Sequence, residues 1–331
     1  MAFPKIEGIF TPNMVPLDDG GAINEEELER YLDWLIRSGV HGLYPNGSTG
    51  EFTRFTAEER RRIIEIACRV AKGRVPVLAG AAEANVKETL SACEAYAGFG
   101  ARAVAVISPI FYKLGQESIY AYYKELAEHS PIDVTIYNIP MLSSPIELGT
   151  IVRLAEFERI VGIKDSTGDV AAMSRMIHRI RPERPDFVFF TGWDSVLVPM
   201  LVVGVNGGTN ASSGVVPEVT RKLFDYFRSG KIESAMSIQY PLVDLFDQML
   251  QGADFPDGFR AGIELRGFNM GATRQPNTKP QTLDRAVLKR RLECLLADFG
   301  AVSRPPHCPA QSVESLAEKI ARDVVLSLKR A

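Results

Sequence analysis

The chain has 331 residues, 46% hydrophobic and 24% charged, with a formal net charge of −3. That length supports one large domain or two ordinary ones, and the composition is that of a globular protein with ample core. No basic block marks a nucleic-acid partner, and no apolar run approaches the ~20 residues that span a bilayer.

The N-terminus, Met1-Ala2-Phe3-Pro4-Lys5-Ile6-Glu7, lacks an apolar signal segment, so the expected compartment is the cytoplasm. From residue 6 to about 228, apolar runs alternate with helical patterns. The runs at 6–11, 42–45, 75–80, 103–108, 134–138, 160–164, 187–192 and 202–207 read as strands. Between them, 24–37, 57–71, 86–99, 117–128, 148–155, 169–179, 194–200 and 217–227 carry helical periodicity. Eight β/α units in series predict an α/β fold, a (β/α)8 TIM barrel over residues 1–230. An open doubly wound sheet is the rival, but it wants a Gly-rich dinucleotide fingerprint after its first strand. Phe10-Thr11-Pro12-Asn13 is not one, and no cofactor is expected.

Helix ends fit this reading. Thr56-Ala57-Glu58-Glu59 has capping-box spacing, and Gly39 and Gly73 follow helix ends. After residue 230 the alternation stops. Segments 232–250, 259–267, 283–299 and 312–328 predict a C-terminal helical extension, residues 231–331, with a break at Ser303-Arg304-Pro305-Pro306. Four cysteines (Cys68, Cys93, Cys294, Cys308) are scattered without a CxxC pair, and Cys68 and Cys93 read as small apolar residues in helices. None of the four histidines stands at metal-ligand spacing from another histidine or cysteine, so no metal site is expected.

Barrel enzymes carry their chemistry at the C-terminal ends of strands. The sixth run ends Val161-Gly162-Ile163-Lys164-Asp165. Strand side chains alternate faces, so Val161 and Ile163 are expected against the helices, with Gly162 and Lys164 facing the barrel. An inward ammonium is costly to bury, and a neutral amine is the nucleophile of an imine-forming enzyme. Taken alone, Lys164 also fits a solvent-facing strand-end lysine. The second strand end, Gly47-Ser48-Thr49-Gly50-Glu51, offers backbone N–H groups and two hydroxyls suited to a carboxylate, or simply a turn. The fifth ends Tyr137-Asn138-Ile139-Pro140, where an inward Tyr either packs or carries a proton. The seventh and eighth ends, Gly192-Trp193-Asp194-Ser195 and Gly207-Gly208-Thr209-Asn210-Ala211-Ser212, could hold hydroxyl groups of a polar ligand.

Together these segments, in this order over about residues 6–297, resemble the pyruvate-dependent class I aldolases that include N-acetylneuraminate lyase and dihydrodipicolinate synthase. The resemblance implies a barrel with C-terminal helices, usually assembled as a homotetramer. It implies Lys164 as the Schiff-base lysine for a 2-oxo acid and Tyr137 as the proton-transfer residue, with Ser48 and Thr49 on the pyruvyl carboxylate. Dihydrodipicolinate synthases carry an Arg two residues after the Pro of the Tyr-Asn-x-Pro motif, and Leu142 stands there in this chain. Leucine cannot replace bidentate carboxylate recognition. Those synthases also borrow a Tyr from a neighbouring subunit, where this chain has Phe111 followed by Tyr112. Sialic-acid lyases read Gly-Tyr-Asp-Glu after the seventh strand, and Gly192-Trp193-Asp194-Ser195 keeps the Asp without the Glu.

The expected activity is cleavage of a 2-oxo acid, a 2-keto-3-deoxy sugar acid or a sialic-acid-like compound, to pyruvate and an aldehyde. Gly192, Asp194, Ser195 and Ser212 are the expected contacts to the aldehyde half. Three alternatives stay open: a Schiff-base dehydratase, dihydrodipicolinate synthase, and a non-catalytic 2-oxo-acid sensor. A metal-dependent barrel enzyme would want acidic clusters at the strand ends, which the sequence lacks.

Overall fold

The computed structural model describes residues 5–274 and 283–308, and the helix expected at 312–328 lies outside them. The chain begins with β1 (Gly8–Thr11), α1 (Glu25–Arg37), β2 (Gly42–Leu43), α2 (Ala57–Ala71), β3 (Leu78–Gly80) and α3 (Val86–Phe99). It continues through β4 (Ala103–Ile107), α4 (Gln116–His129), β5 (Val134–Asn138), α5 (Leu148–Leu154), β6 (Ile160–Asp165) and α6 (Val170–Ile180). β7 (Val188–Thr191), α7 (Leu197–Val203), β8 (Gly207–Gly208) and α8 (Pro217–Arg228) complete the alternation. The strands are hydrogen-bonded in the order β2-β1-β8-β7-β6-β5-β4-β3, and all pairs are parallel. A parallel bridge between Leu43 and Val77 joins the two ends. This is the (β/α)8 TIM barrel that the sequence predicts.

Period-two alternation sorts the core into two shells. Ile9, Val104, Val106, Ile136, Ile163 and Phe189 face the helices. Phe10, Tyr44, Leu78, Ala105 and Phe190 fill the interior, with the Phe10 and Phe190 rings 5.2 Å apart. Local capping agrees with the sequence: both bonds of the Thr56–Glu59 capping box form, and Gly39 and Gly73 take φ of 92° and 74° past their helices.

Two strand expectations are corrected. Val202 and Val203 belong to α7, not to the eighth strand, whose paired residues are Gly207 and Gly208. Two glycines carry no strand propensity, so the β-branched pair before them drew the expectation. Val161 does not share the helix-facing side with Ile163, because it packs on the interior shell. The β5–β6 ladder steps from Val134↔Ile160 to Thr135↔Gly162, so Val161 is a bulge residue and the alternation slips by one.

Beyond the barrel, α9 (Ile232–Gln251), α10 (Asp257–Leu265) and α11 (Arg285–Asp298) form the C-terminal helices, with α9 packed on α8, α10 and α11. Cys294 on α11 is disulfide-bonded to Cys308, so these two cysteines are neighbours in space and not isolated. No described helix is long and apolar enough to cross a membrane.

Candidate active site

Lys164 points into the barrel near the end of β6, 6% exposed, beside Phe190 and Thr209. Its Nζ lies 4.1 Å from the Tyr137 ring centroid and 4.6 Å from that of Tyr44. Both aromatic faces attract a cation. Gly192 makes this placement possible, since a Cβ there would come within 2.7 Å of Lys164 Cε and closer still to Ser166 Oγ. Gly162, one step below Lys164 on the same face, would drive a Cβ to 2.6 Å from the Val188 carbonyl.

Tyr137 reaches across from β5, paired in register with Lys164. Its Oη lies 3.1 Å from Ser48 Oγ on the loop after β2. Tyr44 packs edge-on against Tyr137 at 6.3 Å, and burial together with Tyr137 holds its phenol well above the usual range. Ser48, Tyr137, Tyr44, Arg54, Ile110 and Leu142 are among the walls of a cleft of about 250 Å³ that opens above this floor. Thr49 lies buried beside Ser48.

Buried polar bonds hold the loops that carry these groups. Glu51 and Asn46 adopt left-handed φ of 56° and 57°. Asn46 Nδ2 donates to the Arg60 carbonyl at 2.9 Å. Glu51 is buried between Arg54 and Arg260, and Arg260 Nη2 approaches at 2.5 Å while its Nη1 donates to the Met270 carbonyl. The Glu of the Gly-Ser-Thr-Gly-Glu motif therefore clamps the loop to α10. Asn138 Nδ2 donates to Asp165 Oδ2 at 2.7 Å while its Oδ1 accepts from Ile146 N. Asp165 Oδ1 accepts from Thr167 N and Oγ1.

The expected contacts to the aldehyde half divide differently. Asp194 is 1% exposed, and its oxygens accept from Ala211 N, Ser212 N and Ser212 Oγ. Burial pushes its carboxyl up to about 6 against the opposing pull of those bonds. Asp194 and Ser212 thus hold each other and the loop after β8 instead of facing the cleft. Trp193 packs edge-on against Phe246 of α9 at 5.8 Å, and Ser195 is half-buried.

The sequence reading missed Tyr44, Arg54 and Arg260, and it named Thr209 only as part of the segment after the eighth strand. Tyr44 was visible as a strand-end aromatic on the inward face. Arg260 had no local sign, because it meets Glu51 across 209 residues. The Thr209 hydroxyl is buried next to Lys164 without a hydrogen-bond partner among the described residues.

Comparison with known proteins places this geometry. The Dihydrodipicolinate synthetase family matches residues 5–295. A 4-hydroxy-tetrahydrodipicolinate synthase of Methanopyrus kandleri is 32% identical, over 88% of this chain and 97% of that protein. The crystal structure of YagE, a prophage protein of the dihydrodipicolinic acid synthase family from E. coli K12 in complex with pyruvate, superposes with a TM-score of 0.82. It is 30% identical, over 88% of this chain and 98% of that one. CdNal from Clostridium difficile, in complex with mannosamine, gives a TM-score of 0.79 at 28% identity, over 89% and 99%. The chain belongs to the Dihydrodipicolinate synthetase family and is a pyruvate-dependent lyase of the class I aldolases.

Proposed function

We propose that this enzyme cleaves a 2-keto-3-deoxy sugar acid to pyruvate and an aldehyde through an imine on Lys164. One observation carries the reading: Lys164 Nζ sits 4.1 Å beneath the Tyr137 ring, whose hydroxyl meets Ser48 at 3.1 Å. The lysine nitrogen attacks the 2-oxo carbon and water leaves, giving the iminium. Electrons of the C3–C4 bond flow into it as Tyr137 takes the C4 hydroxyl proton. The aldehyde departs, the enamine is protonated at C3, and hydrolysis frees pyruvate and Lys164. Ser48 and Thr49 hold the carboxylate, lowering the barrier by positioning. Asp194 and Ser212 support the adjoining wall from behind, with Gly192 keeping room for the lysine.

A second reading, condensation of pyruvate with aspartate semialdehyde, is supported by Arg54. It brings a guanidinium to the cleft wall, although its Nη1 is bound to Glu51. Leu142, lining the same cleft, offers no charge to a second carboxylate. The exposed Ile110, Phe111, Tyr112, Met141 and Leu142 at the mouth support assembly with further copies, four in the homotetramer that the resemblance implies.

Borohydride reduction in the presence of pyruvate tests the imine. One pyruvyl adduct at Lys164 is expected, and labelling of another lysine overturns the assignment. Pyruvate release from a panel of 2-keto-3-deoxy aldonates then separates cleavage from dehydration, which yields no pyruvate.

A further inference from the structure

Cys294 lies half-buried in the second half of α11, and Cys308 is buried at the end of the segment that follows. That segment turns back through Pro305 and Pro306, bringing the two Cα atoms to 5.3 Å across a separation of 14 residues. His307 arrives with it. A ligand atom from each of Cys294, His307 and Cys308 lies within 4.8 Å of the others. His307 Nε2 stands 3.2 Å from Glu293 Oε2. A carboxylate on one imidazole nitrogen is the arrangement that fixes the tautomer of a metal-ligating histidine, leaving Nδ1 for the ion. Two sulfurs and an imidazole are a soft donor set suited to zinc and ill-suited to magnesium or calcium.

We propose that reduction of the Cys294–Cys308 bond turns this cluster into a zinc site, with both sulfurs and His307 as ligands and water in the fourth position. A thiol or phosphine reductant supplies two electrons, and two protons complete the thiols. Zinc then displaces both thiol protons, leaving two thiolates on the ion. Thiolates bound at ~2.3 Å in tetrahedral geometry stand roughly 3.8 Å apart, a separation that side-chain rotation reaches from these Cα positions. His307 is exposed, so the ion enters from solvent. Residues 299–308 then stay fastened to α11 in oxidising and reducing surroundings alike, by a different bond in each. Spacing along the chain hid the cluster, because the ligands meet only when the tail folds back.

Cobalt(II) is the spectroscopic probe. Added without oxygen to the reduced, metal-free full chain, it should saturate at one equivalent and develop a thiolate-to-metal absorption band that zinc abolishes. Zinc should also protect Cys294 and Cys308 from alkylation, read peptide by peptide by mass spectrometry. Cys68 and Cys93 serve as internal controls, their thiols pushed up by burial to about 12 and 11. Glu293→Gln should weaken cobalt binding by roughly tenfold. No band, a band that persists in the Cys294→Ser/Cys308→Ser double variant, or equal alkylation with and without zinc would overturn the site.

Discussion

The two sides of the barrel mouth are built on opposite terms. The loops after β2 and β8 are held by buried charge: Glu51 between Arg54 and Arg260, and Asp194 gripping Ala211 and Ser212. The loops after β4 and β5 expose Phe111 at 91% and Leu142 at 52%, with a few bonds such as Leu114 N to Ser144 Oγ beneath them. Fixed geometry borders Ser48, Tyr137 and Lys164, where the part shared by all 2-oxo acids would sit. On the proposed reading, the exposed side would border the part that differs between substrates. A scaffold divided in this way could then change its aldehyde without disturbing the proposed imine chemistry.

Changes on the floor and the clamped side should therefore cost most. Lys164→Ala should abolish turnover and the borohydride adduct while leaving the melting temperature near that of the wild type. Residual turnover at a tenth of the wild-type rate would remove the lysine from the chemistry. Arg260→Met strands Glu51 as a buried carboxylate facing Arg54 alone, and should lower stability by about 3–5 kcal/mol in denaturant titration. A loss below about 1 kcal/mol would mean that the clamp is not what holds this loop.

Asp194 gives a pH test of the same side. Its folded value of about 6 lies above the ordinary 3.8, so the native state binds the proton more tightly. The stabilising contribution is complete below 3.8 and is lost as pH rises through about 6, a swing of about 3 kcal/mol. Melting temperatures taken between roughly pH 4.5 and 7 should fall more steeply for the wild type than for Asp194→Asn. Parallel profiles would show that Asp194 does not titrate in that window.

Tyr137→Phe keeps the ring over Lys164 and removes one hydroxyl. The adduct should still form while turnover drops by ~10², the scale of a lost proton-transfer group. On the exposed side, Leu142→Ser should shift stability by less than about 0.5 kcal/mol and change KM among sugar acids with little effect on kcat. If Leu142→Ser instead cost as much as Arg260→Met, the contrast between the two sides would collapse.

Much of the barrel was readable because its information is local. Val104 and Val106 alternate with Ala103 and Ala105, Thr56 and Glu59 spell a cap, and Lys164 follows a glycine at a strand end. Fold class, helix positions and the Lys164–Tyr137–Ser48 grouping followed from such signs together with the family resemblance. What stayed hidden depends on distant partners or on the absence of a side chain. Arg260 meets Glu51 across 209 residues, β8 is two glycines, and Cys308 finds Cys294 only after the tail turns back. Asp194 was expected to hold sugar hydroxyls because Gly192-Trp193-Asp194-Ser195 keeps the Asp of the sialic-acid lyases' segment. Its satisfaction by Ser212 and two backbone N–H groups is a property of the folded loop alone.

The bulge at Val161 makes parity a design rule for β6. Ile160 and Ile163 both face the helices only because one residue between them is out of phase with β5. Straightening the bulge with all six residues kept would invert one end of the strand: with the β6 exit held in place, Ile160 would swing into the barrel; with its entrance held, Lys164 would turn outward. The inward facing of Lys164 thus depends on the bulge at Val161, and deleting Val161 alone would leave Ile160 outward and Lys164 inward on a regular ladder. Placing Lys164 in another barrel therefore requires either the bulge or a strand one residue shorter.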